Sequence, residues 1–303
     1  MKGCFSKLGC VDIPVEHLRT LAAAVDAGTL DRAAAQLGIT PSAVSQRIRV
    51  IEQRVGRVVL RRTKPVTATP AGEPLVRLAR QLDLLEHETR SALGDDGGPA
   101  HVPLAVNADS LITWFLPALA AVTDAQDVTF ELHREDQERT AQLLAAGTVM
   151  AAVTSQREAV PGCVSSPLGR MRYTAVATRT FADRWFPDGV DRAGLEAAPR
   201  VDFDRHDTLQ SSFARRHGAR REPPRHIISA SAEFAEAITL GLGWGMLLPG
   251  QFDAGVADGS LTILTADTVE VPLYWQRWNL SSGLLDTVTD AVRRIAAASP
   301  VLV

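Results

Sequence analysis

The sequence predicts an α/β protein with an all-α winged helix-turn-helix domain at its N-terminus, and three observations support this fold class. A basic segment with helical periodicity occupies the first seventy residues. A helix with leucines at heptad spacing follows it. Beyond residue 100, short apolar runs alternate with helical patterns, which predicts a mainly parallel sheet covered by helices. We therefore expect two or three compact units in the 303 residues.

Charge is distributed unevenly along the chain. Residues 1–72 contain eleven Lys or Arg and five Asp or Glu, a net charge of +6, whereas residues 73–303 carry −9. A basic end on an acidic body is expected when one end binds phosphate and the other does not. The three Cys and the scattered His have neither disulfide nor metal-ligand spacing, so we predict no metal and no cofactor.

Residues 1–12 are predicted to be a disordered extension. The residues before Leu8-Gly9-Cys10 lack the apolar stretch of a signal peptide, and no run of 18 apolar residues occurs. We therefore expect no membrane association and a cytoplasmic location, in association with the nucleoid.

The predicted DNA-binding domain, residues 13–69, begins with two short helices. The stripe Leu18, Leu21, Ala22 and Val25 predicts a helix that Gly28 ends, and Asp31 is expected to cap or open the next one. A third helix starts at Thr40-Pro41, a strong N-terminal signal. The same periodicity would suit a plain three-helix bundle, and the strand and turn that follow the third helix favour the DNA-binding domain over it.

The polar face of the third helix carries hydroxyl, amide and guanidinium groups, which hydrogen-bond base edges and phosphates. Residues 57–69 add an apolar strand, a turn at Pro65 and a return strand, which together predict a basic wing beside the third helix. The predicted DNA contacts are Thr40, Ser42, Ser45, Gln46, Arg47, Arg49, Arg61, Arg62 and Lys64.

The stretch from Ala33 to Ile48, with Ile51-Glu52 and Thr69-Pro70-Ala71-Gly72, resembles the LysR-type transcriptional regulators. Its wing departs from the usual Leu-Phe-x-Arg and is similar to the lysine-export and arginine-responsive branch of that family, the LysG/ArgP group. The resemblance extends over nearly the whole chain. It implies binding to double-stranded promoter DNA, a homodimer or homotetramer, and contact with RNA polymerase.

Residues 70–94 are predicted to form a linker helix. Leu75, Leu78, Leu82 and Leu85 have the spacing of a coiled-coil seam. A single amphipathic helix packed on its own domain would show the same pattern, and the family resemblance favours dimerisation through this helix. A hinge at residues 95–99 follows.

The body resembles the two-lobed, periplasmic-binding-protein-like effector domain of the same family. We assign residues 100–163 and 280–303 to lobe I and residues 164–279 to lobe II. Ligands in such sheets bind at the carboxyl ends of strands. The predicted effector-binding residues at those ends are Asn107, Asp109, Ser110, Glu135, Asp136, Thr154, Asp204 and Ser231.

Four of these residues are acids, which could neutralise the ammonium and the distal cation of a basic amino acid, while Ser110 could hold its α-carboxylate. Each acid alone could equally be a solvated loop carboxylate. Together they favour a cationic effector, and the resemblance implies lysine or arginine and control of a basic amino-acid exporter gene.

Other functions have less support in the sequence. It lacks the Gly-x-Ser-x-Gly, phosphate-loop and His-Glu-x-x-His motifs, so we expect no enzyme. A solute-binding protein would lack the DNA-reading module. A nucleoid-associated or replication-inhibiting DNA binder with weak sequence specificity stays open, because phosphate contacts alone can give tight binding.

Overall fold

The computed structural model describes residues 12–95, 98–134 and 137–303. All but one residue of the predicted N-terminal extension therefore lies outside the described residues, as do two residues of the hinge. The elements of the N-terminal domain are α1 (Val15–Ala27), α2 (Leu30–Leu37), α3 (Pro41–Val55), β1 (Leu60–Arg61) and β2 (Thr67–Ala68). The predicted order of three helices and a two-stranded wing is confirmed.

Local capping explains where these helices begin. The Thr40 side chain accepts a 3.2 Å hydrogen bond from the Ala43 backbone N–H at the start of α3. At α2 the cap is Thr29, which accepts from the Arg32 backbone N–H at 3.2 Å. Asp31 therefore does not cap α2 but lies in its first turn and so opens the helix, where its charge suits the helix dipole.

The linker helix α4 (Glu73–Ala92) leads from this domain to the body. Lobe I opens with β3 (Ala100–Val106), a helical segment made of α5 (Ala108–Ser110), a π-helical turn (Leu111–Phe115) and α6 (Leu116–Thr123), then β4 (Val128–Arg134), α7 (Gln137–Ala145) and β5 (Ala151–Thr154). The chain then enters the long strand β6 (Cys163–Thr178).

Lobe II is a second α/β unit, and the chain leaves it through another long strand. Its elements are α8 (Arg179–Trp185), α9 (Arg192–Ala197), β7 (Arg200–Asp202), α10 (Leu209–Arg216), β8 (Arg225–Ile227), α11 (Ser231–Thr239), β9 (Gly245–Leu247) and α12 (Asp253–Asp258). The return strand β10 (Leu261–Trp278) leads into α13 (Gly283–Ala298), which packs on lobe I.

The main sheet has the strand order β4-β3-β5-β10-β6-β9. Strand β3 is parallel to β4 and β5, and β7 is parallel to β8, but β10 pairs antiparallel with both β5 and β6. The expectation of a mainly parallel sheet is therefore wrong at the centre of the molecule. The chain leaves lobe I along β6 and returns to it along β10. The two strands therefore run in opposite directions between the lobes and pair antiparallel.

The two crossing strands are longer than the apolar runs within them. The apolar runs at 173–177 and 271–275 are only parts of strands of 16 and 18 residues, because the rest of each strand is partly exposed and polar. Residues Tyr274–Arg277 pair with β5, so the end of β10 belongs to the sheet of lobe I. The lobes therefore meet within β6 and β10, not at residues 164 and 280.

Across the described ranges, no helix combines the length and the apolar character that a membrane crossing requires.

Candidate nucleic-acid interface and ligand cleft

One face of α3 presents polar groups to solvent. Ser42, Gln46 and Arg49 are exposed, and Ser45 is partly exposed between them. The opposite face is held by Val44, Ile48 and Ile51, which are buried in the domain core. The Thr40 and Ser42 hydroxyls lie 2.9 Å apart at the start of the helix. This face has the size and the chemistry to enter a DNA groove.

Arg47 is arranged differently from the other predicted DNA contacts. It is partly buried, and its guanidinium donates a 3.1 Å hydrogen bond to the Thr20 hydroxyl of α1. Thr20 in turn donates to the Glu16 carbonyl at 2.7 Å. In this structure Arg47 therefore fixes α3 against α1.

The wing places three cations next to this face. Strands β1 and β2 pair antiparallel, with Arg61 opposite Thr67, and the buried residue Val66 anchors the wing by donating to the Gly28 carbonyl at 2.8 Å. Arg61, Arg62 and Lys64 are exposed, and within the described ranges no carboxylate lies within ion-pair distance of them. Their charges are therefore available to phosphates.

The linker helix α4 uses two of its faces within the chain. Leu75 and Leu82 pack against the core of the N-terminal domain, whereas Leu84 is buried in the core of lobe I. Two of the four predicted seam leucines thus pack on their own domain. This is the arrangement expected of a single amphipathic helix that packs within its own chain. Leu78, which is 41% exposed, and Leu85, one heptad further on, lie on a third stripe.

Polar contacts join α4 to lobe I. Arg80 donates to the Gly147 carbonyl at 2.5 Å and pairs with Asp26 of α1, so it bridges both domains. Glu88 accepts from the Ser282 hydroxyl at 2.6 Å and from the Leu284 backbone N–H at 2.9 Å, at the start of α13. The linker therefore contacts both of the chain segments that make up lobe I.

The lobe I side of the cleft is built at the carboxyl end of β3. Asp109 is partly buried there, and the Tyr173 hydroxyl donates a 2.6 Å hydrogen bond to its Oδ2. Asn107 Oδ1 and Ser110 Oγ are buried beside it without a hydrogen-bond partner among the described residues. Buried polar atoms normally have partners, so these two suit a bound molecule.

Charge around Asp109 is unfavourable to its ionised form. Burial raises the pKa of Asp109, the Tyr173 hydrogen bond lowers it part of the way, and the charge of Asp207 in lobe II raises it again. Burial and the Asp109 charge hold the pKa of Tyr173 well above its usual value. The tyrosine therefore keeps its proton and acts as the donor.

On the lobe II side, Asp207 is the acid whose charge acts on Asp109, and sequence reasoning missed it. The predicted acid, Asp204, accepts hydrogen bonds from the backbone N–H groups of His206 (2.6 Å) and Asp207 (2.8 Å), so it shapes its own loop. Asp207 accepts from Phe203 and Leu209 backbone N–H groups at 3.0 and 2.9 Å. The sequence feature that could have identified Asp207 is its position in the same loop, three residues after Asp204.

Burial also raises the pKa of Asp207, and the charges of Asp202 and Asp204 add to this effect. The cleft thus brings together two carboxylates from opposite lobes, each in surroundings that oppose its charge. A cation placed between them would relieve that penalty.

The other predicted effector residues divide into three groups. Ser231 begins α11, and its buried Oγ has no partner among the described residues. Thr154 is buried at the end of β5, and its hydroxyl accepts from the Gln156 backbone N–H at 3.2 Å. Glu135 and Asp136 lie outside the described residues.

Two family models match the chain. Residues 15–73 match the bacterial regulatory helix-turn-helix protein, lysR family, and residues 95–294 match the LysR substrate binding domain. The first match covers the helices and the wing described above. The second covers both lobes and the strands that cross between them.

Individual relatives are similar over almost their full length. The HTH-type transcriptional regulator LysG of Mycobacterium tuberculosis is 45% identical over 290 residues, 93% of each chain. The lysine export transcriptional regulatory protein LysG of Corynebacterium efficiens is 42% identical, with 93% of this chain and 97% of the relative covered. The structure of LysG from Corynebacterium glutamicum with bound effector Arg is 38% identical with a TM-score of 0.81. The match covers 94% of this chain and 99% of that one.

The exposed guanidinium on α3 leads to a first prediction. Arg49→Ala should weaken binding to promoter and random duplexes alike, and the slope of log K against log salt should fall by about 1 if Arg49 contacts a phosphate. Fluorescence anisotropy over a salt series measures both quantities. Arg293→Ala, an exposed arginine on α13, is the matched control and should bind like the wild type. An unchanged salt slope in Arg49→Ala would contradict the phosphate contact.

Proposed function

Because the chain belongs to the LysR family of DNA-binding transcriptional regulators, we propose that its cleft senses a basic amino acid, lysine or arginine, and that it controls a basic amino-acid exporter gene. The observation that carries this proposal is the pair Asp109 and Asp207, two partly buried carboxylates in opposite lobes, of which the charge of Asp207 raises the pKa of Asp109. Two such acids suit a cation far better than an aromatic or dicarboxylic anion.

The polar atoms that lack partners suit the rest of such a ligand. Ser110 Oγ in lobe I and Ser231 Oγ at the start of α11 in lobe II are donors that could hold an α-carboxylate. A ligand that contacts both lobes binds the closed arrangement better than the open one, so binding shifts the lobes towards closure.

Two relatives support the chemical class of the ligand and the kind of target gene. The LysG structure from Corynebacterium glutamicum holds arginine as its effector, and the relative from Corynebacterium efficiens is named for lysine export. We transfer both properties to this chain as part of the proposal.

Signal transfer uses the linker helix. Lobe I is attached to α4 through Arg80 and Glu88, and Arg80 also holds α1 of the DNA-binding domain. A change in the lobes is therefore passed to the position of the reading helices on promoter DNA, and DNA affinity and effector affinity become reciprocally linked. In this account RNA polymerase contacts the DNA-bound protein.

Dimerisation is proposed to use the third stripe of α4. With Leu75 and Leu82 covered by the N-terminal domain, Leu78 and Leu85 are the seam residues that remain for a partner helix. Two such dimers on one promoter would bridge two half-sites, as the homotetramer predicted from the resemblance requires.

The acid pair gives a ligand prediction. L-Arginine or L-lysine should bind in titration calorimetry, whereas L-glutamate and benzoate should not. Asp207→Asn should weaken binding of the cationic amino acid about tenfold or more, because it removes one charge that the ligand's cation would contact. Asp188→Asn makes the same change at an exposed position of lobe II and should keep the wild-type affinity. Tight binding of L-glutamate or benzoate, with no binding of L-arginine or L-lysine, would contradict the proposal.

The third stripe gives a prediction for assembly. Leu78→Glu should raise the dimer dissociation constant at least about tenfold, since it places a charge where an apolar side chain is buried against the partner helix. Sedimentation velocity over a concentration series measures this constant. Ile263→Glu is the control, because Ile263 in lobe II is 43% exposed, close to the 41% of Leu78. If both variants associate as the wild type does, dimerisation does not use Leu78.

A further inference from the structure

Tyr173 lies where the cleft meets the strands that join the lobes. It belongs to β6, and its buried side chain donates a 2.6 Å hydrogen bond to Asp109 Oδ2. The charges of Asp109 and of Asp207 both act on its hydroxyl. Tyr173 thus touches the lobe I acid from a strand that continues into lobe II.

We propose that Tyr173 is a positioning residue, which holds Asp109 oriented and ionised and so sets how affinity for a cationic amino acid varies with pH. The inference rests on the proposed function, because it concerns the same cleft and the same class of ligand. Tyr173 acts on the ligand through Asp109.

The Tyr173 hydroxyl has two effects on the Asp109 carboxylate. A hydroxyl donor stabilises a carboxylate and fixes the direction of its free lone pairs. Around Asp109 the other influences oppose ionisation, because burial and the Asp207 charge both raise its pKa. The Tyr173 hydrogen bond is the influence that offsets them. Without it, Asp109 would be protonated over a wider range of pH.

The surrounding charges give the direction of the pH effect. Two groups act on Asp109: the hydroxyl of Tyr173, which belongs to β6, and the charge of Asp207, which belongs to lobe II. Asp207 is influenced in turn by Asp202 and Asp204, and the buried Asp202 is paired with Arg200. Acids therefore dominate the surroundings of the cleft pair.

A ligand cation is attracted only by the ionised form of Asp109. Affinity is therefore complete above the pKa of Asp109 and is lost as the pH falls through it. Removing the hydroxyl raises that pKa further, so affinity is then lost at a higher pH. A tyrosine that only filled space would not move this midpoint.

The test is titration calorimetry with L-arginine at a series of pH values. Tyr173→Phe keeps the ring and removes the hydroxyl. It should weaken binding about tenfold at neutral pH and move the midpoint of affinity against pH upwards by about one unit. Tyr274→Phe is the matched control: Tyr274 is the other tyrosine of the chain, and its hydroxyl has no hydrogen-bond partner among the described residues. It should keep the wild-type midpoint.

A second measurement needs no ligand. In protein labelled with ¹³C at aspartate carboxyls, the Asp109 signal can be assigned by its loss in Asp109→Asn, and its pKa should be higher in Tyr173→Phe than in the wild type. An unchanged pKa, an unchanged midpoint, or an equal shift in Tyr274→Phe would overturn the role of Tyr173. Failure of the wild type to bind any cationic amino acid would instead overturn the proposed function, and the NMR titration would still decide the role of Tyr173.

Discussion

The antiparallel pairing of β6 with β10 is the constraint on which the rest of the body depends. From Cys163 opposite Trp278 to Thr178 opposite Leu261, these two strands form one ladder, interrupted at two places, that runs through both lobes. Each lobe adds its own strands to one end of the ladder: β5 in lobe I and β9 in lobe II. The cleft is the space that the two lobes leave beside this ladder.

The cleft's chemistry follows from that arrangement. Asp109 reaches it from α5, directly after β3, and Asp207 from the loop after β7, while Tyr173 on the ladder donates a hydrogen bond to Asp109. The two acids repel each other, and within the described part of the chain neither is paired with a cation in the way that Arg200 neutralises Asp202. This imbalance is costly for stability, which is typical of a site that a ligand completes.

Lobe I is also the lobe that holds the linker helix. Arg80 is hydrogen-bonded to lobe I and ion-paired with α1, and Glu88 caps the closing helix α13. These contacts make lobe I and the DNA-binding domain neighbours through one helix. In the proposed function, movement of lobe II relative to lobe I is the change that effector binding controls, and the linker helix transmits it to the DNA-binding domain.

Much of this could be predicted from the sequence because it is encoded locally. The Thr40-Pro41 helix start, the wing and the order of helices and strands depend on short patterns. Long-range arrangements could not be predicted in the same way. The crossing strands contain partly polar residues that apolar runs do not reveal. Asp204 and Asp207 both accept hydrogen bonds from N–H groups of their own loop, and only the folded loop shows that the charge of Asp207 acts on Asp109.

The seam of α4 shows the same limit. Heptad spacing identifies which leucines share a side of the helix, but only the packed domain shows that Leu75 and Leu82 are already covered.

The central claim is that a ligand's cation binds between carboxylates of opposite lobes. A crystal structure of the full chain with L-arginine tests it most directly. The account predicts a guanidinium or ammonium group within hydrogen-bond distance of both Asp109 and Asp207. Arginine bound outside the cleft, or held by one lobe with the other acid turned to solvent, would contradict it.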